Sequence, residues 1–435
     1  MDVATPKSPA DTATERAPMD ALLIQGGRRL SGRVAISGAK NAALPVMAAT
    51  LLASGVHKLR NVPDLLDTRT FARVLEKLGS KVTFERDLCT IDSTGVDRVE
   101  APYELVKTMR ASIYVLGPLL ARLGGAKVSL PGGCAWGPRP VNLHLTGLAA
   151  MGAQLEIDHG YIVGQNVKLR GANFTFDVVS VGATAQLMMA ATLAEGTTVL
   201  DNVAIEPDIT VLGEVLNECG ARIEGLGTRR IVIHGVKTLR PIDTTIIPDR
   251  IEAGTFAAAA VMTGGSITLE RVIPDHFEAA LRKLEEVGAT VVREHDEVTV
   301  TGRGRPQAAD VITQVFPGFP TDMQAQQMAV AAIAHGTSVI EDTIYLDRFS
   351  HVPELGRLGA RIEMKGNVAV VRGVDRLQGA PVMATDLRAS AALALAALVA
   401  EGETRISRIY HLDRGYENFE QKLAQLGAMV QRVQE

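Results

Sequence analysis

Lys40, Arg110 and Arg388 each stand at the front of an apolar segment, in SGAKNAALP, TMRAS and TDLRAS. If these segments are helices, their starts already carry the positive end of the backbone dipole, and a cation there is unfavourable unless an anion is to be held. Ser, Thr and Asp at such places are ordinary N-caps, but capping does not account for lysine or arginine. Several cationic helix starts facing one cleft make a site for a multiply charged anion, phosphate above all. Asp322, in FPTDMQAQ, contrasts with them. Alone it reads as a helix cap; among cations and bound phosphates it is a candidate general base.

A thiol joins this set from a loop. The stretch PGGCAWGPRP, residues 131–140, holds Cys134, the single tryptophan Trp136 and Arg139. A neighbouring cation lowers a thiol pKa and makes it reactive or able to deliver a proton. Glycines and prolines set the shape of a loop that can close, with Trp136 as its seal. The other two cysteines, Cys89 in the alternating LCTID and Cys219 at the end of an amphipathic segment, read as inert. Three scattered cysteines form neither a disulfide framework nor a metal motif, and free thiols fit a reducing cytoplasm.

The elements that carry these residues repeat. "Apolar helix, Gly, strand" recurs around Gly55, Gly125, Gly196, Gly265, Gly336 and Gly402. "Amphipathic helix, Gly, strand" recurs around Gly79, Gly152, Gly220, Gly288, Gly359 and Gly427. Successive spacings run from 66 to 73 residues in both series, so six copies of one unit are expected. Glycine at each helix end is read as a left-handed cap. The first helix of each unit is apolar on all sides (FAAAAVM, AALALAALVA) and should be buried; the second is charged on one face, as in HFEAALRKLEEVG, and should lie outside.

With 435 residues and 46% hydrophobic content, the chain can fill more than one core. A formal charge of −4 without a basic stripe argues against nucleic acid as partner. The polar first 19 residues read as a disordered tail with no leader pattern, and the run at 391–400 is about half of a membrane span, so a cytoplasmic, membrane-free protein is expected.

In order along the chain, SGAKNAALP, TMRAS, PGGCAWGPRPVNLH, SVGAT, PDRIEAGTF, FPTDMQAQ, RFSHVPEL, TDLRAS and DRGYE resemble the UDP-N-acetylglucosamine 1-carboxyvinyltransferases, a branch of the enolpyruvyl transferases. The resemblance runs from about residue 20 to the C-terminus. It implies an α/β fold: a two-domain inside-out α/β barrel of six βαβαββ-like repeats, three per domain, with apolar helices inside and sheets outside. One domain would comprise 20–39 plus 248–435, and the other 40–247, which carries the Cys134 loop.

The implied reaction moves the enolpyruvyl group of phosphoenolpyruvate to the 3'-hydroxyl of UDP-N-acetylglucosamine, with release of phosphate, and opens peptidoglycan precursor synthesis. Carried over position by position, Lys40, Arg139 and Arg414 would hold phosphoenolpyruvate, with Arg110 and Arg388 in support. Asp322 would take the hydroxyl proton, with Asp386 close to the reacting centre. Cys134 would protonate the methylene carbon, or bond covalently to phosphoenolpyruvate and aid product release; it is also the residue alkylated by fosfomycin in the sensitive form of the family. The nucleotide sugar would meet Asn41, Arg110, Arg139, Pro140, Val141, Asn142, Leu143, Ser180, Val181, Gly182, Asp322, Ile344 and Arg348. The resemblance implies neither metal nor cofactor, and a monomer.

Departures from the family pattern cluster on the nucleotide-sugar side. Asn142 replaces the usual Asp, Val178-Val179 stands where some members place Lys, and YLDRF replaces FENRF; Trp136 replaces a smaller residue in the loop. Three rivals are weighed. A shikimate 3-phosphate enolpyruvyl transferase would lack the PGGCA loop. A regulatory paralogue would have lost Lys40, Cys134, Asp322 or Arg414, all present here. A repeat scaffold would not need cations at buried helix starts.

Overall fold

The computed structural model describes residues 20–107, 109–130 and 141–434. It holds six four-stranded sheets, all wired alike: one edge strand runs parallel to its neighbour, and the other two pairings are antiparallel. In one sheet Asp243–Thr245 lies parallel to Val56–Arg60, which pairs antiparallel with Leu88–Asp92, which closes a hairpin with Lys81–Glu85. Side chains alternate as a half-buried strand requires: His57 and Leu59 point inward between exposed Val56, Lys58 and Arg60. Each sheet is open with two edges, and no closed barrel is formed among the described residues, so the barrel expectation gives way to open sheets.

The apolar segments form helices at Lys40–Ala49, Leu116–Leu123, Val181–Ala191, Arg250–Thr263, Gln324–Ala332 and Leu387–Val399. Small residues recur in several of them, as in Ala257–Ala260 and Ala394–Ala397, and are buried all round the helix. Two of them are entered through a tighter 3-10 turn, Arg110–Val115 and Thr321–Met323. Caps follow expectation at three starts: Ser180, Asp249 and Asp386 accept backbone N–H groups. The amphipathic helices, such as Leu66–Lys77 and Glu278–Glu286, keep their charged residues outward, apart from the buried Asp67. Among the described residues no helix is long and apolar enough to cross a membrane.

All six glycines of the second series take positive φ, between 90° and 108°. The first series needs a correction at two places. Gly125 and Gly265 do not adopt positive φ; the residues before them, Gly124 (φ 67°) and Gly264 (φ 63°), end the helices. Gly265 instead allows close approach, since a Cβ there would meet the Leu30 carbonyl oxygen at 1.9 Å.

Buried apolar side chains fall into two clusters. One gathers Leu22–Ile36 with Ile251–Leu426, and the other spans Ala39–Ile246. The chain crosses between them twice, and the crossings are paired: Ala39 N–H donates to Ile247 O (2.7 Å) and Asp249 N–H to Ser37 O (2.8 Å). Asn61 Nδ2 fixes the second crossing through Ile246 O (2.8 Å). Ser37 is clasped further by Glu252, Glu417 and Lys422. Gly38 sits against this knot, and a Cβ there would come within 1.8 Å of the Asn61 carbonyl oxygen, a backbone atom that cannot swing aside. Gly38→Ala should therefore destabilise the protein by about 2–4 kcal/mol, read as a fall in Tm; an unchanged Tm would show that the crossing is loose.

Candidate active site

Lys40 is the first residue of its helix, whose N-cap, Ala39, offers no side-chain cap. Its Nζ lies 3.1 Å from Oδ2 of Asp67, and Arg414 Nε donates to Asp67 Oδ1 at 2.9 Å. Asp67 sits in the first turn of the Leu66–Lys77 helix and is 5% exposed. Burial pushes its carboxyl pKa up, but Lys40 and Arg414 together outweigh burial and hold it below the usual value. One carboxylate thus joins a cation of each hydrophobic cluster. Sequence reasoning missed Asp67, although its place on the apolar stripe of its helix, with Phe71, Val74 and Leu75, marks it as a buried acid.

The second centre is Asp322. Arg348 Nη1 donates to its Oδ1 at 2.6 Å, and Arg388 Nη2 to its Oδ2 at 2.9 Å. Asn41 Nδ2, from the first turn of the Lys40 helix, approaches Oδ2 at 3.5 Å. Burial raises the Asp322 pKa, and the Arg388 and Arg348 guanidiniums overcome it, leaving the carboxyl well below its ordinary range. Arg388 is almost wholly buried, and its Nε and Nη1 meet no acceptor among the described residues. Asp386 caps the same helix, accepting from Arg388 N–H (2.8 Å) and Ala389 N–H (3.2 Å). Burial raises its pKa, against the pull of Arg348.

Other expected residues fall at neighbouring helix starts. Val141 is the N-cap of the Asn142–Ala150 helix, where Asn142 is exposed and Leu143 half-buried. Ser180 accepts from Ala183 N–H at 3.3 Å, and Val181 and Gly182 form the first turn that follows. Gly182 lies beside the His144 ring and the Tyr114 hydroxyl, which a Cβ would approach at 3.3 and 3.7 Å. Arg110 opens the adjoining 3-10 turn; burial, then the Arg110 charge, pushes His144 down to about 4. Val141–Leu143 and Ser180–Gly182 make no hydrogen bond to Asp67 or Asp322 among the described residues. Ile344 is 44% exposed on the Asp322 side. Cys134, Trp136, Arg139 and Pro140 lie outside the described residues. Burial lifts the Cys89 and Cys219 thiols to about 12 and 11, in keeping with inert cysteines. Among the described residues no three His, Cys, Asp or Glu side chains converge as a metal site.

Between the clusters lies a pair that sequence reasoning also missed, Asp208 and Arg250, 3.7 Å apart. Burial is the main cause that raises the Asp208 pKa to about 6. The folded protein therefore keeps a proton that the unfolded chain loses near pH 4, and Asp208 contributes less stability as pH rises from about 4 to 6. Asp208→Asn should raise Tm at pH 7.5, and the gain should shrink as pH falls below 6; a constant gain would contradict the raised pKa. Asp322 carries the opposite sign. Arg388→Met removes the foremost cation lowering its pKa, so the acidic limb of the pH–rate profile should move to higher pH, and a shift to lower pH would exclude Asp322 as the base.

The chain matches the model of the EPSP synthase (3-phosphoshikimate 1-carboxyvinyltransferase) family over residues 24–423. It is 55% identical over 417 residues, 96% of this chain and 100% of the other, to a UDP-N-acetylglucosamine 1-carboxyvinyltransferase of Geobacter metallireducens. A protein of the same name from Thermodesulfovibrio yellowstonii is 54% identical over 416 residues, covering 95% of this chain and all of its own length. Among solved structures, the enolpyruvyl transferase NikO from Streptomyces tendae superposes with a TM-score of 0.86 at 28% identity, covering 96% of this chain and all of that one. EPSP synthase from Acinetobacter baumannii shares the fold, with a TM-score of 0.76 at 16% identity over 96% of this chain and all of that one. The mixed α/β architecture, the converging cations and nearly full-length identity above one half agree: the chain belongs to the enolpyruvyl transferase family, among its UDP-N-acetylglucosamine 1-carboxyvinyltransferases.

Proposed function

We propose that this protein transfers the enolpyruvyl group of phosphoenolpyruvate to the 3'-hydroxyl of UDP-N-acetylglucosamine, releasing phosphate, at the entry to peptidoglycan synthesis. The observation that supports the reading is the placement of Asp322, the candidate base, between Arg348 and Arg388 of one hydrophobic cluster and Asn41 of the other, next in sequence to Lys40. In this reading each cluster is a domain of three sheets built on three repeats, with 20–39 plus 248–435 as one and 40–247 as the other.

Phosphoenolpyruvate is read as lying against Lys40 and Arg414, with Arg110, Arg139 and Arg388 completing the charge. Its phosphate and carboxylate take over the contacts that Asp67 makes in their absence. The nucleotide sugar spans Asn41, Val141–Leu143, Ser180–Gly182, Ile344 and Arg348, its diphosphate meeting the free N–H groups of helix starts.

In the addition step the sugar oxygen bonds to C2 of phosphoenolpyruvate, its proton passes to Asp322, and the methylene carbon takes a proton, becoming a methyl group. Cys134 would deliver that proton, or bond to phosphoenolpyruvate and aid release. Elimination then removes a methyl proton, re-forms the double bond and breaks the C–O bond to phosphate. While both guanidiniums hold it, Asp322 is a weak base. Substrate anions that draw Arg348 and Arg388 toward themselves raise its basicity only once the ligands are in place. Closing the two halves expels water and fixes the reactants in line. The protein is further read as a cytoplasmic monomer inhibited by fosfomycin at Cys134.

The test is phosphate release from phosphoenolpyruvate with UDP-N-acetylglucosamine or shikimate 3-phosphate as acceptor. Release with the nucleotide sugar alone, blocked by fosfomycin, is the expected result, and release with shikimate 3-phosphate alone would overturn it. Lys40→Ala should lower turnover by about a thousandfold with the fold retained, the scale of losing a preorganised charge at the reacting centre.

A further inference from the structure

Asp342 is wholly buried just beyond the Thr337–Glu341 strand, and neither capping nor the motifs above account for it. Its two oxygens receive four donors. Oδ1 accepts from Thr313 Oγ1 (2.7 Å), Ile344 N–H (3.0 Å) and Tyr345 N–H (2.8 Å). Oδ2 accepts from Thr321 Oγ1 at 2.7 Å. A buried carboxylate is tolerated only when so fully bonded, and breaking such a set is expensive.

The donors belong to segments that meet different parts of the site. Thr321 directly precedes Asp322, and its hydroxyl, while donating to Asp342, accepts from Arg348 Nη1 at 3.2 Å. The same Arg348 nitrogen holds Asp322. Ile344 and Tyr345 start the loop that ends in Arg348, and Arg348 N–H returns to Tyr345 O at 3.1 Å. The bonds therefore form a closed circuit, from Asp342 through Thr321, Arg348 and Tyr345 back to Asp342. Thr343 and Ile344 also wall an open cavity of about 590 Å³, with Arg229 and the Gln314–Gly318 turn on its other sides.

We propose that Asp342 is a positioning residue for the acceptor half of the reaction: it locks the Ile344–Arg348 loop to the Thr321–Asp322 turn, so that nucleotide-sugar contacts and base orientation are set together. The inference rests on the proposed reaction and adds to it the group that couples acceptor binding to Asp322. Asp342 touches no reacting atom; it acts through Thr321, Arg348 and the loop backbone. The phosphoenolpyruvate cations Lys40 and Arg414 are held separately, by Asp67.

The experiment is steady-state kinetics of the full chain, varying phosphoenolpyruvate and UDP-N-acetylglucosamine separately, for wild type, Asp342→Asn and Thr321→Val, with Tm measured alongside. Asp342→Asn is nearly isosteric but presents a donor where acceptors are needed. It should raise KM for the nucleotide sugar about tenfold and lower kcat, with KM for phosphoenolpyruvate within about twofold. Thr321→Val cuts only the hydroxyl bridge; kcat should fall about tenfold while both KM values stay within about twofold, since misaiming a base slows chemistry more than binding. A lower Tm with both KM values and kcat near wild type would reduce Asp342 to a structural role and overturn the proposal. Should Asp342→Asn fail to fold, Thr321→Val decides, and wild-type kcat in that variant is the overturning result. A wild type that releases no phosphate with UDP-N-acetylglucosamine would instead remove the proposed reaction, a different result from an active enzyme with insensitive variants.

Discussion

Asp67 and Asp322 hold Lys40, Arg414, Arg348 and Arg388 close together against their mutual repulsion. Like charges repel strongly at the effective dielectric of a protein, so each pair of cations relies on the acid between them: Lys40 and Arg414 on Asp67, Arg348 and Arg388 on Asp322. The acids do more than neutralise. Each is gripped by groups from both hydrophobic clusters, Asp67 by Lys40 and Arg414, and Asp322 by Asn41 together with Arg348 and Arg388. In the proposed reaction, binding is then an exchange of one set of anions for another on charges already in place.

That arrangement depends on rigid supports. Lys40, Arg110, Asp322 and Arg388 all stand within a turn of a helix start, and the helices they open into are buried on nearly all sides, where close packing resists a shift of one alone. The sheets outside them present alternating strands and turn glycines but no charged group of the site's core. Division of labour follows from burial. Buried helix starts supply fixed charge, and the Ile344–Arg348 loop reaches the same rigidity through its bonds to Asp342 and Thr321.

The helix starts were legible because a cation before an apolar run contradicts the dipole rule, and local rules are written in neighbouring letters. The six-fold glycine spacing was legible for the same reason, to within one residue at Gly124 and Gly264. Asp67 was not, because its partners lie 27 and 347 positions away and LDTRTF reads as an ordinary helix opening with a favourable acid. Asp342 was hidden too: its significance lies in four donors from segments 2 to 29 positions distant, none a recognisable motif. The depression of Asp322 follows from two arginines that only the tertiary structure delivers to it.

One strand has a bearing on how the molecule is made. Asp20–Gln25 is central in its sheet, between Glu403–Ser407 and Met429–Gln434, and Ser31–Ala35 pairs with Ser266–Glu270. On the ribosome these early segments emerge long before their partners, while the cluster spanning Ala39–Ile246 can collapse as soon as its own residues are out. The first strands made must wait for the last. Until those partners arrive, both edges of the Asp20–Gln25 strand lack the ladder that covers them in the folded protein.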